Sequence, residues 1–221
     1  MITIDIVSDT VCPWCFVGKR RLEQALAQFG GAPELSITWR PFQLNPDMPS
    51  EGADRKTHLR AKFGGDERFK QMYDAINEAG KTVDIPFAFD NIERTPNTID
   101  SHRLIDRAGK NGRQDAVVEA LFHTYFLEGR DIGDIDVLVD VATSAGLDDD
   151  EIRAYLRSDE DIERIRAEDT NARKMGIQGV PCFIVNQKYA ISGAQEPAAF
   201  LQIFERIAGE ESQPEAADAT T

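Results

Sequence analysis

The chain opens on a period of two. In ITIDIV, Ile2, Ile4 and Ile6 alternate with Thr3 and Asp5, which predicts a strand with one face buried. From Pro13 the period changes. Phe16, Val17, Leu22, Leu26 and Phe29 recur at helical spacing among Lys19, Arg20, Arg21 and Glu23, and Gly30-Gly31 supplies a stop. A helix therefore follows a strand across a very short turn. ELSITWRPF, with Leu35, Ile37 and Trp39 alternating, predicts a second strand closed by Pro41.

Between about Asp47 and Met175 the pattern is helical and almost strand-free, in segments near 51–64, 66–81, 98–110, 113–128, 134–146, 148–157 and 159–175. Gly64-Gly65, the two prolines of DIPFAFDNIERTPN, Asn111-Gly112 and Gly129 mark the breaks. The aspartates of GLDDDEI suit a helix start, where carboxylates face the positive end of the dipole. Strand signals return in PCFIVNQKYAISG as a hairpin, with Cys182 to Val185 and Tyr189 to Ser192 flanking Asn186-Gln187. A last amphipathic helix, Pro197 to Ala208, carries Phe200, Leu201, Ile203, Phe204 and Ile207. The polar end, residues 211–221, has nothing to bury and reads as a disordered tail. The order βαβ, helices, ββα requires the strands at the two ends to share one sheet. The expected division is a discontinuous α/β domain, 1–46 with 176–210, interrupted by a helical insertion over 47–175.

A length of 221 residues suits one domain carrying a large insertion. The net charge of −14 repels phosphate backbones and anionic lipid, which argues against nucleic-acid and membrane partners. No apolar run approaches the roughly 20 residues of a membrane helix, and MITIDIVSDTV lacks the basic start and apolar stretch of a secretory signal. The expected location is the cytoplasm. Three cysteines in such a chain do not make a structural disulfide framework, so chemistry, metal binding or packing must account for them.

Two of the three lie in SDTVCPWCFVGKRRLE, at the seam between strand and helix. If the helix begins at Pro13, Cys12 is its N-cap and Cys15 lies over the same face about a turn later, so the two sulfurs can meet. A thiolate at such an N-cap faces free amide hydrogens and the positive end of the helix dipole, which makes Cys12 the candidate nucleophile. Pro13 fits because its fixed φ suits the first helical position. Cys15, less exposed and harder to ionise, suits a resolving role in which it attacks Cys12 to release a mixed disulfide. A metal site would need four ligands. Cys182 is one candidate third, but His58, His102 and His123 are scattered singly, and CxxCH haem attachment fails at Phe16. Two packed thiols remain the bland alternative. Trp14 is set to touch substrate or to cap apolar surface. Phe63, Phe69, Met72 and Tyr73 would line a groove or the core, and Asp5 reads as a solvated acid.

A strand, CPWC at a helix start, a long helical insertion and GVPCF entering a later strand resemble the thioredoxin fold of the DsbA-like thiol-disulfide oxidoreductases. SDTVCPWCFVGKRRLE, WRPFQLNPDMP, NTIDSHRLI and GIQGVPCFIVNQKYAISGAQ are similar to the FrnE-type subfamily, relatives of 2-hydroxychromene-2-carboxylate isomerase and kappa-class glutathione transferase. The resemblance covers nearly the whole chain before the tail. It implies that Pro181 is a cis proline beside the CxxC and that the Val180 backbone pairs with an extended substrate. Sequence alone favours a trans bond there, since about 5% of X-Pro bonds in folded proteins are cis.

The resemblance also implies disulfide exchange with a protein or small-molecule thiol, no required cofactor, glutathione as an optional co-substrate, and a monomer or homodimer. The isomerases and kappa transferases carry a serine where Cys12 stands, so a glutathione-dependent isomerase or transferase acting on an aromatic or polyketide-like substrate is the alternative reading. Asn97 and His102 match the shared motif as accessory candidates, although His102 among Ile99, Leu104 and Ile105 also reads as a hydrogen-bonded packing residue. Cys182 is a third accessory candidate, read first as a small buried hydrophobe.

Overall fold

Ile2, Ile4 and Ile6 do alternate inward along β1, Ile2–Ser8, and the chain then turns directly into α1, Pro13–Phe29. The computed structural model describes residues 1–30 and 34–211. Gly30 ends α1 at φ 51°, while Gly31, the second half of the expected stop, lies outside the described residues. β2, Leu35–Pro41, follows. The block expected to be almost strand-free contains one very short ladder, in which β3, Ala53–Asp54, precedes α2, Arg55–Phe63, and α3, Asp66–Lys81. A 3-10 turn, Phe89–Asn91, leads to β4, Arg94–Thr95, which pairs with β3. Strands of two residues have no period to read, which is why the pattern concealed them.

The remaining helices are α4, Ile99–Gly109, α5, Gln114–Phe126, α6, Ile135–Ser144, α7, Asp149–Leu156, and α8, Ile162–Lys174. Each lies within about three residues of its expected segment. The hairpin β5, Cys182–Val185, and β6, Tyr189–Ser192, turns through Asn186 and Gln187, both at positive φ (49° and 54°), the conformation of a type I′ turn. α9, Pro197–Glu211, runs three residues beyond the expected end at Ala208. Its last residue, Glu211, takes the first position of the expected tail, and the rest of that tail lies outside the described residues.

The sheet order is β2-β1-β5-β6, with β1 and β2 parallel and the other pairs antiparallel, so strands from the two ends of the chain form one sheet. Register sorts its side chains by face. Ile4 opposite Val185 and Ile37, with Ile6 opposite Phe183 and Trp39, pack with α1 and α9 in the larger core. Val7 opposite Cys182 turns to the other face, into a small cluster with Phe42 and Ala172.

The larger core runs without a break from the sheet into the helical block. Phe16 of α1 stacks on Phe122 of α5 at 5.1 Å, and Phe122 also meets the edge of Trp39. Each such ring, fully buried, contributes roughly 1.5–3 kcal/mol of transfer free energy, so this aromatic junction fixes where the block sits relative to the CxxC helix. An ion cluster at its rim, Lys19 with Asp115 at 3.3 Å and Glu119 at 3.0 Å, satisfies a lysine that the junction buries.

Candidate functional site

β1 delivers its last residue, Ser8, to a three-residue loop, and that loop delivers Cys12 to the start of α1. The Asp9 carbonyl accepts the Cys12 amide at 3.0 Å, and the Cys12 carbonyl accepts the Cys15 amide at 3.0 Å. Cys12 is the N-cap, with Pro13 at the first helical position. All three cysteines are free and buried, Cys12 at 4% exposure and Cys15 at 1%. Burial, then the hydrogen bond and charge of Cys12, push the Cys15 thiol well above its ordinary pKa; the Ser8 hydroxyl and the Asp9 backbone pull against them. The pair thus has an outer and an inner member, as the N-cap argument requires.

The loop before β5 completes one side of the pair. The Val180-Pro181 bond is cis, and the Cys12 thiol donates to the Val180 carbonyl at 3.6 Å. Gly193 donates to the Pro181 carbonyl at 2.8 Å, which ties this loop to the end of β6. Gly18 sets the approach from the other direction. A Cβ there would lie 2.9 Å from Pro181 Cγ and 3.1 Å from Phe183 Cζ, closer than packed carbons come. A glycine inside a helix costs roughly 0.5–1 kcal/mol, and here it lets Pro181 lie directly on α1. Pro13 and Trp14 are half-buried beside it.

Asn97 and His102 lie behind the pair. The Asn97 amide donates to the Met48 carbonyl at 2.6 Å and its oxygen accepts from the Ile99 amide at 2.9 Å, so this side chain ties the start of α4 to the loop after β2. His102 Nε2 lies 3.2 Å from the Phe42 carbonyl and 3.4 Å from Asp9 Oδ1. Asp9, fully buried, accepts from the Leu44 amide through Oδ2 at 2.7 Å, and the Thr10 hydroxyl meets that of Ser101 at 2.8 Å. The motif NTIDSHR therefore braces the loop that carries Cys12. Asp9 escaped the sequence reading, although an acid three positions before Cys12 was a visible signal.

Cys182 follows Pro181 immediately but belongs to the other face of the sheet, among Val7, Phe42 and Ala172, where burial raises its pKa. Asp5 accepts from Arg40 Nε at 2.8 Å at the surface. Among the described residues no three His, Cys, Asp or Glu side chains are grouped as a metal cage.

Over Cys12 the helical block leaves a cavity of about 120 Å³. Leu59 and Phe63 of α2 and Met72, Tyr73 and Ile76 of α3 wall it, and Trp14, Arg55, Lys62 and Thr95 reach it. Phe69 stands outside, against Tyr73 at 4.2 Å. Arg55, Lys62 and Thr95 carried no sequence signal, because no spacing relates them to CPWC. A larger cleft, about 480 Å³, follows the β2 edge as far as His102 and does not include either thiol of the pair.

The family model of a DSBA-like thioredoxin domain matches residues 3–205. A Streptomyces coelicolor protein, described as a "probable DsbA oxidoreductase", is 31% identical, with a TM-score of 0.88 over 100% of this chain and 96% of its own. Two more distant structures share the fold. One is 2-hydroxychromene-2-carboxylate isomerase, at 17% identity and TM-score 0.72 over 95% of this chain and 98% of its own. The other is the cytosolic disulfide reductase DsbM of Pseudomonas aeruginosa, solved with glutathione, at 15% and 0.63 over the same shares. The chain belongs to the DsbA-like thioredoxin family.

Proposed function

We propose that this chain is a thiol-disulfide oxidoreductase of the FrnE type, exchanging disulfides with protein or small-molecule thiols through Cys12 and Cys15. The Cys12 thiolate attacks one sulfur of a substrate disulfide and forms a mixed disulfide, and the other substrate sulfur leaves as a thiolate. Cys15 then gives up its proton and attacks Cys12 Sγ, which frees the second substrate thiolate and closes the Cys12-Cys15 disulfide. Two electrons pass from the pair to the substrate. Run backwards, the same steps donate a disulfide, and no cofactor is required. Pro13, Trp14, Val180 and Pro181 form the substrate contact, with the Val180 backbone pairing an extended chain. Asn97 acts as a tie between the start of α4 and the loop after β2, His102 as a support of the loop from Asp9 to Val11, and Cys182 as packing.

One observation carries this reading: Cys12 caps α1 within 3.6 Å of the Val180 carbonyl, while Cys15 lies one turn deeper with its thiol pushed up. The proposed architecture is a thioredoxin-like domain, 1–46 with 176–210, under a helical domain, 47–175, that selects what reaches Cys12. The proposed location is the cytoplasm, by analogy with the reductase named above, and its bound glutathione suggests glutathione as a co-substrate here. The isomerase reading is disfavoured because a resolving cysteine would trap a glutathione adduct rather than present free glutathione to an electrophile. Insulin reduction by wild type and Cys12→Ser tests the choice. Turnover lost with Cys12 supports exchange; turnover that needs glutathione and an aromatic electrophile, and survives Cys15→Ser, overturns it.

A further inference from the structure

The pocket above Cys12 contains a cation without an anion. Arg55 is 5% exposed, yet among the described residues it forms no ion pair. Its Nε donates to the Tyr73 hydroxyl at 3.0 Å and its Nη1 to the Tyr125 hydroxyl at 2.8 Å, and its guanidinium lies 5.6–5.8 Å from the ring centroids of Tyr73, Phe89 and Tyr125. Burial raises the pKa of both phenols, Tyr125 to about 12, so neither supplies a negative charge near neutral pH. A guanidinium is a permanent cation, and burying one without a carboxylate is costly. Arg103 shows how the same fold treats an arginine that only holds structure. At 1% exposure it is paired with Asp100 at 2.7 Å and donates to the carbonyls of Tyr155, Leu156, Ser158 and Glu160.

A second polar group in the pocket stands beside it. Thr95, 3% exposed, lines the cavity, and among the described residues its buried hydroxyl has no hydrogen-bond partner. The β3–β4 ladder puts it beside Arg55, whose amide donates to the Glu93 carbonyl at 2.9 Å. Lys62, bonded to Asn45 Oδ1 at 2.6 Å and to the Leu44 carbonyl at 3.3 Å, is close enough to Cys12 for their charges to interact. Among the described residues no carboxylate lines the cavity, in a chain whose net charge is −14. The remaining wall is apolar.

We infer that this pocket is the binding site for an anionic low-molecular-weight disulfide, whose carboxylate pairs with Arg55 and Thr95 while its sulfur meets Cys12. The inference rests on the reading of Cys12 as the exchanging thiol. The cavity of about 120 Å³ is far below the 300 Å³ or more of a drug-sized site, so what it takes in is a short acid. Lys62 at the rim offsets the repulsion that the whole molecule exerts on an approaching anion. Reduced protein and an acid disulfide give oxidised protein and two molecules of thiol acid, so two electrons and two protons pass with no further reactant.

The test follows oxidation of the reduced protein, by tryptophan fluorescence and by mass, with 3,3′-dithiodipropionic acid, its diamide and cystamine. Each rate is divided by the rate of that disulfide with 2-mercaptoethanol. The acid should lead the diamide by about ten-fold or more, since a hydrogen-bonded charge pair contributes roughly 1.5–3 kcal/mol. Arg55→Met should bring the ratio to near one. Because that change also removes the ties to Tyr73 and Tyr125, Thr95→Val provides a milder variant, in which the ratio should fall several-fold. Equal normalised rates in wild type, with all three disulfides oxidising the pair, overturn the anion site and leave exchange standing. A parallel titration of the Cys12→Ser, Cys15→Ser double variant with butyrate, read from the tryptophan resonances, needs no redox step. Saturable binding that weakens with Thr95→Val supports the site even if no disulfide reacts; absence of binding together with absence of exchange overturns both readings.

Discussion

Cys15 and Cys182 are nearly indistinguishable as isolated residues. Both are free, both are buried, and burial pushes both thiols above their ordinary pKa. They differ in their company. Cys15 stands in the first turn of α1 with Cys12 as a direct partner, while Cys182 faces Val7, Phe42 and Ala172 on the other side of the sheet. One step along β5 separates Phe183, packed toward α1, from Cys182, turned to the other face, because neighbouring residues of a strand point to opposite faces. A raised thiol pKa therefore marks burial, and the resolving role proposed for Cys15 rests on the second sulfur within its reach.

The largest expected contrast follows from that partner. Cys12→Ser should reduce insulin turnover to the uncatalysed background. Cys15→Ser should instead accumulate a mixed disulfide on Cys12, visible as added mass that dithiothreitol removes. Adduct on Cys182 in either variant would erase the distinction between the two regions.

Gly18→Ala attacks the contact that brings the two parts of the pair's surroundings together. Alanine should gain roughly 0.5–1 kcal/mol of helix propensity, but its Cβ must displace Pro181 Cγ from 2.9 Å, and overpacking of this kind costs roughly 1–3 kcal/mol. The steric term should win, giving a lower denaturation midpoint and slower exchange as the Val180 carbonyl moves off Cys12. A variant as stable and as active as wild type would mean that Pro181 has slack to yield, and that the close fit at α1 is incidental.

How much of this contrast was legible beforehand depends on where its information lies. The N-cap placement of Cys12 could be read because five residues of local sequence set it, and the helix pattern from Phe16 to Phe29 is continuous. The helical block was equally legible, since its apolar spacing is local. Arg55, Lys62 and Thr95 were not. They reach Cys12 across gaps of more than forty residues, through a two-residue ladder without periodicity and helices whose packing angle no spacing encodes. The bracing by Asp9 and His102 was half visible: the motif could be seen, but not that Nε2 would lie between Asp9 and the Phe42 carbonyl.

Stability at high pH gives a smaller and cleaner separation of Cys15 from Cys182. An unfolded thiol loses its proton near pH 8.5, whereas both folded thiols hold theirs to higher pH. Above about pH 8.5 the native state therefore binds more protons than the unfolded state, and stability must fall as pH rises, by at most about 1.4 kcal/mol per pH unit for each thiol. Oxidation removes the Cys12 and Cys15 protons from both states but leaves that of Cys182. Urea titrations from pH 8 to 10 should show a shallower decline for the oxidised protein than for the reduced one. Parallel declines would show that Cys15 ionises as freely in the fold as out of it.

The smallest effect belongs to Cys182→Ala. The substitution deletes one sulfur from a cluster of four buried residues, and the lost burial and residual void should cost about 1 kcal/mol. Exchange should stay within about two-fold of wild type, because the Pro181 loop is held from elsewhere: by Gly193 through the Pro181 carbonyl at 2.8 Å and by α1 at Gly18. The two readouts must be taken on the same preparation, since a loss of stability alone lowers turnover by lowering the folded fraction. If exchange per folded molecule drops as far as in Cys12→Ser, Cys182 takes part in the electron path, and facing the other side of the sheet does not keep it out.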